Sequence, residues 1–167
     1  LYDDLEYLIK NKTITYSTEE VCFSTFLQER LAYFDALASS KEITLLSTIE
    51  PSLHVNINRI ELQRIVDNNI TNAIKYSHPK SAIEVFLSER LHEILFRVKD
   101  AGIGIKEVDK VFERHYRGDI FKGGFGIGLS IVKSICEKYG IKIEVNSKEG
   151  VGSEFIYRFR KEEKISS

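Results

Sequence analysis

One long amphipathic helix constrains this chain more than any other stretch. Between Arg59 and about Tyr76, Ile60, Ile65, Val66, Ile70 and Ile74 recur at helical spacing and predict an inward stripe. Asn58 is a favoured capping residue at one end. Ser77-His78-Pro79 stops the helix at the other, because the residue before a proline is pushed out of the α region. A helix with one apolar stripe must bury it against a second layer. Its remaining faces are unusual. Asn68 and Asn72 are four apart in NNITNAIKYS and share one face. Lys75 lies three further on and stays near it. Two amides and an ammonium then converge on one place.

The flanking segments supply the second layer. Ile43–Ile49, Val55–Ile57, Ala82–Arg90, Glu93–Val98, Ile141–Val145 and Ser153–Phe159 read as strands. The two central ones form a hairpin turning near Leu91 and His92, and the last pair turns at Lys148–Gly152. Ser17 followed by Glu20 has the form of a capping box opening a helix to about Ser39. Val21, Phe26, Leu27, Leu31, Phe34 and Leu37 would form its core stripe. Ile14–Tyr16 could add a short strand, and Val108–Phe112 a short helix. His115–Phe125 lacks periodicity and reads as a mobile loop. Ile127–Tyr139 predicts a helix closed by Gly140. The order of these pieces predicts an α+β two-layer sandwich, a mixed sheet with helices on one face.

Composition narrows the function classes. The chain has 167 residues, 43% hydrophobic and 29% charged, with 24 basic against 25 acidic residues. That suits one domain with its own core. No basic stripe with interleaved aromatics is present, which argues against nucleic acid as partner. Cys22 and Cys136 are far apart in sequence and read as two buried thiols in a reducing compartment. No apolar run reaches the length of a membrane span. The chain starts at Leu1 and contains no Met, as an excised fragment would.

Four clusters carry candidate chemistry. A hard cation such as Mg²⁺ takes oxygen ligands and is commonly held by one or two protein oxygens plus phosphates. The amide oxygens of Asn72 and Asn68 suit that without adding charge. Lys75 can neutralise phosphate oxygens, and Tyr76 offers a flat face for a base or ribose. A solvated helix face with a core tyrosine is the plainer alternative. In DAGIGI, Asp100 stands at a strand end before Gly102, Gly104 and Ile105. Its carboxylate could accept from an exocyclic amine, which adenine has and guanine lacks there, or it could merely cap its own turn. In GGFGIGL, Gly124, Gly126 and Gly128 with Ile127 and Leu129 would let backbone N–H groups approach phosphates at a helix N-terminus. The spacing is neither a dinucleotide fingerprint nor a P-loop. In FERHYR, Arg114 and Arg117 could swing onto a terminal phosphate.

Taken in order, these clusters resemble the boxes of the catalytic ATP-binding domain of sensor histidine kinases, in the superfamily shared with gyrase, Hsp90 and MutL. NNITNAIKYS is similar to the N box, DAGIGI to the G1 box, FERHYR to the F box and GGFGIGL to the G2 box. GVGSEF, Gly150–Phe155, is similar to the last glycine box. The resemblance covers about Thr13–Arg160. It implies the Bergerat sandwich, with ATP and Mg²⁺ bound between the helices under a loop. Asn72 would be the main metal ligand, assisted by Asn68. Lys75 and Arg117 would meet phosphate oxygens, Tyr76 would lie along the adenosine, and Asp100 would bind the adenine amine, with Ser153 helping through water. Gly126, Gly128 and Leu129 would offer backbone to the phosphates.

Position 68 bears on the reaction. The hydrolytic relatives carry a water-activating Glu there; Asn is a poor base. Asp67 is no substitute, because one residue turns it about 100° around the helix. The expected acceptor of the γ-phosphoryl is a histidine supplied from elsewhere, since His54, His78, His92 and His115 all lack the acceptor pattern of the family. Residues 1–12 would be the end of a dimerisation and phosphoacceptor helix with its linker, 13–161 the catalytic domain and 162–167 a polar tail. The implied partners are a dimerisation or histidine phosphotransfer domain and, through a homodimeric parent, a response regulator. The isolated domain is expected to be a cytoplasmic monomer, with a parent free to be anchored in the inner membrane. Three departures stand out: Ala101 in place of the usual Asn, Asn58 in place of a frequent Asp, and a short loop between Phe112 and Gly124. A degenerate nucleotide-binding module and an anti-sigma-type serine kinase are the competing readings.

Overall fold

The computed structural model describes residues 16–113 and 128–161. A strand β1 (Glu19–Cys22) leads directly into helix α1 (Phe23–Ser40). Strands β2 (Thr44–Ile49) and β3 (His54–Ile57) precede helix α2 (Arg59–Tyr76), and the hairpin β4 (Ala82–Arg90) and β5 (Glu93–Asp100) follows. Val108–Lys110 form a single 3₁₀ turn. Helix α3 (Gly128–Tyr139) and the strands β6 (Lys142–Lys148) and β7 (Gly152–Arg160) complete the chain.

Five strands form a mixed sheet in the order β2-β4-β5-β7-β6. β2 and β4 are parallel, joined by a crossover through β3 and α2; the other neighbours are antiparallel. Inward residues alternate along the strands: Ile83, Val85 and Leu87; Ile94, Phe96 and Val98; Phe155, Tyr157 and Phe159, all buried. Against them lie Leu62, Ile65, Val66 and Ile70 of α2 and Ile131, Val132 and Ile135 of α3, all but inaccessible. Phe23, at the start of α1, meets Phe96 and Phe159 with ring centroids 5.5 and 5.2 Å apart. This is the expected α+β two-layer sandwich.

The main correction lies before α1. Ser17 and Glu20 do not cap a helix. Glu19–Cys22 instead pairs antiparallel with β3, with Glu20 opposite Asn56 and Cys22 opposite His54. Val21 is buried, but as a strand residue. Cross-strand pairing thus overrides a local capping signal, and the helix starts at Phe23. Leu37 and Ile60 were expected inside and are 42% and 51% exposed. Ala38 takes the inward place next to Leu37, and Glu61 takes it next to Ile60. The expected short helix at Val108–Phe112 is only the 3₁₀ turn. Cys136 is buried as expected, and burial pushes its thiol up to about 12; Cys22 is only half-buried. The reading of Ile14 and Thr15 as strand, the loop His115–Phe125, and residues 1–12 and 162–167 lie outside the described residues. No described helix is long and apolar enough to cross a membrane.

Candidate functional site

Helix α2 begins as the sequence predicts. Asn58 Oδ1 accepts from the backbone N–H of Ile60 at 2.9 Å and of Glu61 at 3.1 Å. That satisfies two of the donors a helix leaves open at its start. Further along, Asp67 is taken up by Arg30 of α1 in a two-pronged pair, at 2.9 and 2.7 Å. It therefore faces α1, as its helical phase relative to Asn68 requires. Asn69 belongs to the core: its Nδ2 donates to Ile65 O at 2.7 Å, and its Oδ1 accepts from buried Tyr157 at 2.8 Å.

Asn68 and Asn72 are each half-buried. Asn68 Nδ2 donates to Arg64 O at 2.8 Å, which turns Oδ1 toward Gly128, the first residue of α3. A Cβ on Gly128 would sit 2.4 Å from that oxygen. Gly128 therefore lets the start of α3 rest against the asparagine face. Asn72 Nδ2 is buried with no hydrogen-bond partner among the described residues. An orphaned buried amide is costly in a finished core, so it calls for an explanation, a bound ion or water among them. Lys75 is exposed, with its ammonium 5.5 Å from the Tyr76 ring, and Tyr76 is buried.

Asn72, Tyr76, Asp100, Ile105, Ser153 and Phe155 line one small cavity. Its volume is about 10 Å³, room for roughly one water. A roomier groove of about 740 Å³, lined by His54, Leu91 and His92 among others, shares no residue with it.

Asp100 ends β5 opposite Ser153 of β7. Burial raises its carboxyl above the ordinary carboxylate range, while hydrogen bonds from the backbone N–H of Gly102 and Ser153 and the charge of His78 pull it back. The Gly102 bond is 3.0 Å. Beyond Asp100 the glycine loop is laced to both neighbours. Ser77 bridges Gly102, Ile103 N–H donates to Tyr76 O at 3.2 Å, and Gly150 N–H donates to Ile103 O at 2.7 Å. The glycines have a packing reason: a Cβ on Gly102 would lie 2.1 Å from Tyr76 O, and Gly104, at φ +74°, would meet Lys148 O at 2.3 Å. Ala101 is exposed.

The structure thus gathers Asn68 with Gly128, and Asn72, Tyr76, Asp100, Ile105 and Ser153 around one cavity. Leu129 is buried in the core. Arg114, Arg117, Gly124, Gly126 and Ile127 lie outside the described residues. Two polar features escaped the sequence reading. Glu61 is wholly buried, held by Lys138 Nζ at 3.1 Å from both oxygens and by Tyr139 OH at 2.6 Å. Its signal was its place four residues before Ile65, on the inward stripe. Ser147 ties Ile105 N–H (2.8 Å) to the β6–β7 pair; its signal was the alternation Ile143, Val145, Ser147.

A profile of the histidine kinase-, DNA gyrase B- and HSP90-like ATPases matches residues 57–163. The chain belongs to that family. Among the relatives, the sensor protein kinase WalK of Staphylococcus epidermidis is 33% identical over 164 residues, covering 92% of this chain and 27% of WalK. The mycobacterial sensor histidine kinase MprB is 26% identical with a TM-score of 0.75, over 85% of this chain and 96% of that one. Full-length ShkA, solved in complex with AMPPNP, shares the fold at 21% identity and a TM-score of 0.79, over 94% of this chain and 34% of that one. The chain is an ATP-binding domain of the histidine-kinase type, and it spans about a quarter of its curated WalK relative.

Proposed function

We propose that the domain binds Mg²⁺-ATP and delivers the γ-phosphoryl to a histidine carried by a separate helical domain, within a two-component signalling protein. The observation that carries this reading is the convergence on one cavity of the half-buried Asp100 carboxylate and an Asn72 amide nitrogen that is buried and unpartnered among the described residues. Asp100 is fitted to accept from the adenine amine, a charged hydrogen bond worth roughly 1.5–3 kcal/mol. Tyr76 walls the base side.

The donor set fits a hard cation. Among the described residues there is no cluster of three His, Cys, Asp or Glu, so a cation here would rest on amide oxygens and phosphates. A half-turn of the Asn72 amide would exchange its orphaned nitrogen for an oxygen, and Asn68 Oδ1 already points away from its own helix. Mg²⁺ bound there would neutralise charge on the transferring group. Lys75 and Arg117 would add positive charge at the phosphates, and Gly124, Gly126, Ile127 and Gly128 would supply backbone donors.

Asn68 favours transfer over hydrolysis. Its amide cannot take a proton from water, and Asp67 is engaged by Arg30 on another face. With neither Asn68 nor Asp67 able to serve as base, the domain's contribution is positioning and charge stabilisation. The sensor-kinase relatives support a parent that acts as a homodimer with a response regulator. The test is phosphotransfer from labelled ATP to a separately supplied histidine-bearing helical domain. Acid-labile, alkali-stable label on that domain is expected. Binding without transfer would favour a docking module, a reading supported by Ala101 and the short loop between Phe112 and Gly124; alkali-labile label would favour a serine kinase.

A further inference from the structure

Ser147 sits one layer behind the cavity. It faces Ser153 across the β6–β7 pair, and the two hydroxyl oxygens are 2.8 Å apart. Ser147 Oγ also accepts from Ile105 N–H at 2.8 Å and lies 3.1 Å from Gly152 O. Ser153 lines the cavity and Ser147 does not. Through Ile105 and Ser153, one hydroxyl therefore holds two of the cavity's walls.

Its proton can go to only one place, because a hydroxyl donates once. If Ser147 donates to Gly152 O, Ser153 donates to Ser147 and turns its own proton away from the cavity. If Ser147 donates to Ser153, the Ser153 proton is released toward the cavity. Adenine carries a ring-nitrogen acceptor beside its amine. With Asp100 taking the amine, that acceptor needs a donor, and the second arrangement supplies one. Hypoxanthine has a carbonyl for the amine and an N–H for the acceptor, so it demands the reverse.

We propose that Ser147 is a positioning residue for adenine selectivity: it pins the glycine loop at Ile105 and donates to Ser153, which then presents its proton to the base directly or through one water. This rests on the ATP-binding reading above. The experiment titrates wild type, Ser147→Ala and Ser147→Thr with Mg²⁺-ATP and with Mg²⁺-ITP. Ser147→Ala is expected to lower the ATP-to-ITP affinity ratio about tenfold, the scale of one hydrogen bond, and Ser147→Thr to restore it. The ratio is insensitive to partial unfolding, which lowers both apparent affinities by the same fraction. An unchanged ratio in Ser147→Ala overturns the proposal. Should Ser147→Ala fail to fold, Ser147→Cys, with a far weaker donor, carries the same prediction. Asn72→Ala and Asp100→Asn are titrated alongside. If neither weakens ATP binding, the nucleotide site itself falls; if both do while the Ser147→Ala ratio holds, only the role of Ser147 falls.

Discussion

The two ends of α2 are built on opposite terms. At its start, Glu61 is a charge with no access to solvent, yet both its oxygens are filled by Lys138 and Tyr139 of α3. Tyr139 OH also accepts from Asn58 N–H at 3.3 Å. At its far end, Asn72 keeps a buried donor without a partner among the described residues, and Asp100 is half-buried against the preference of its charge. The first end is a closed account of polar groups and joins the helices. The second is left open, and a ligand would complete it.

Breaking the closed end should have the largest effect. Glu61→Ala strips Lys138 and Tyr139 of their acceptor and is expected to cost about 3 kcal/mol of folding stability, the low end for a buried pair because Lys138 is partly exposed. Urea unfolding measures it. A loss under about 0.5 kcal/mol, within the ordinary surface-mutation range, would put Glu61 on the dispensable side.

At the open end the signs reverse. Asn72→Ala should abolish measurable Mg²⁺-dependent ATP binding, while apo stability holds or rises, since an orphaned amide is removed. Unchanged affinity in calorimetry would sink the assignment. Asp100→Asn should weaken ATP roughly tenfold and barely move the apo melting temperature. The pH dependence follows from the raised carboxyl. The folded state keeps a proton that the unfolded chain releases, so this group's contribution to apo stability is greatest below 3.8 and declines as pH rises through the folded value. ATP affinity should run the other way and fall on acidification through that same range. Parallel trends would argue that Asp100 is structural.

Two smaller effects sharpen the contrast. Gly128→Ala would force Asn68 Oδ1 to yield from 2.4 Å. At the first residue of a helix Ala gains less over Gly than the roughly 0.5–1 kcal/mol of a helix interior, so stability should fall slightly while nucleotide affinity drops several-fold. Equal losses in both would place the glycine in the core rather than at the site. At the closed end, burial lifts the Tyr139 hydroxyl to about 12. Its share of stability is whole below 10 and lost as pH rises from there to about 12. Tyr139→Phe should flatten that part of the stability curve; a curve identical to wild type would detach Tyr139 from the cluster.

Much of this was legible residue by residue. The bounds of α2, the Asn58 cap, the β4–β5 hairpin and Gly140 at the end of α3 (φ +70°) follow from local rules of periodicity, capping and chain reversal. The glycine boxes and asparagine face were readable because their residue types and spacing are themselves the signal. Glu19–Cys22 was not readable, since its pairing with His54–Ile57 is made across a separation that local propensity ignores. Glu61 and Ser147 were missed for a related reason. A single Glu or Ser looks ordinary until its partners arrive from Lys138, Tyr139 and Ile105, all distant in the chain.

By itself, then, the sequence determined the layers, the family and the polar character of the asparagine face, because periodicity and box spacing are local properties. Only the tertiary structure decided which polar groups are spent on the fold and which are left for a ligand. Asp67 and Asn68 are neighbours on one helix, yet one is consumed by Arg30 and the other turns its oxygen to Gly128. The physical reason is that a hydrogen-bond or ion-pair partner is set by what packs opposite a side chain, and that is a property of the fold.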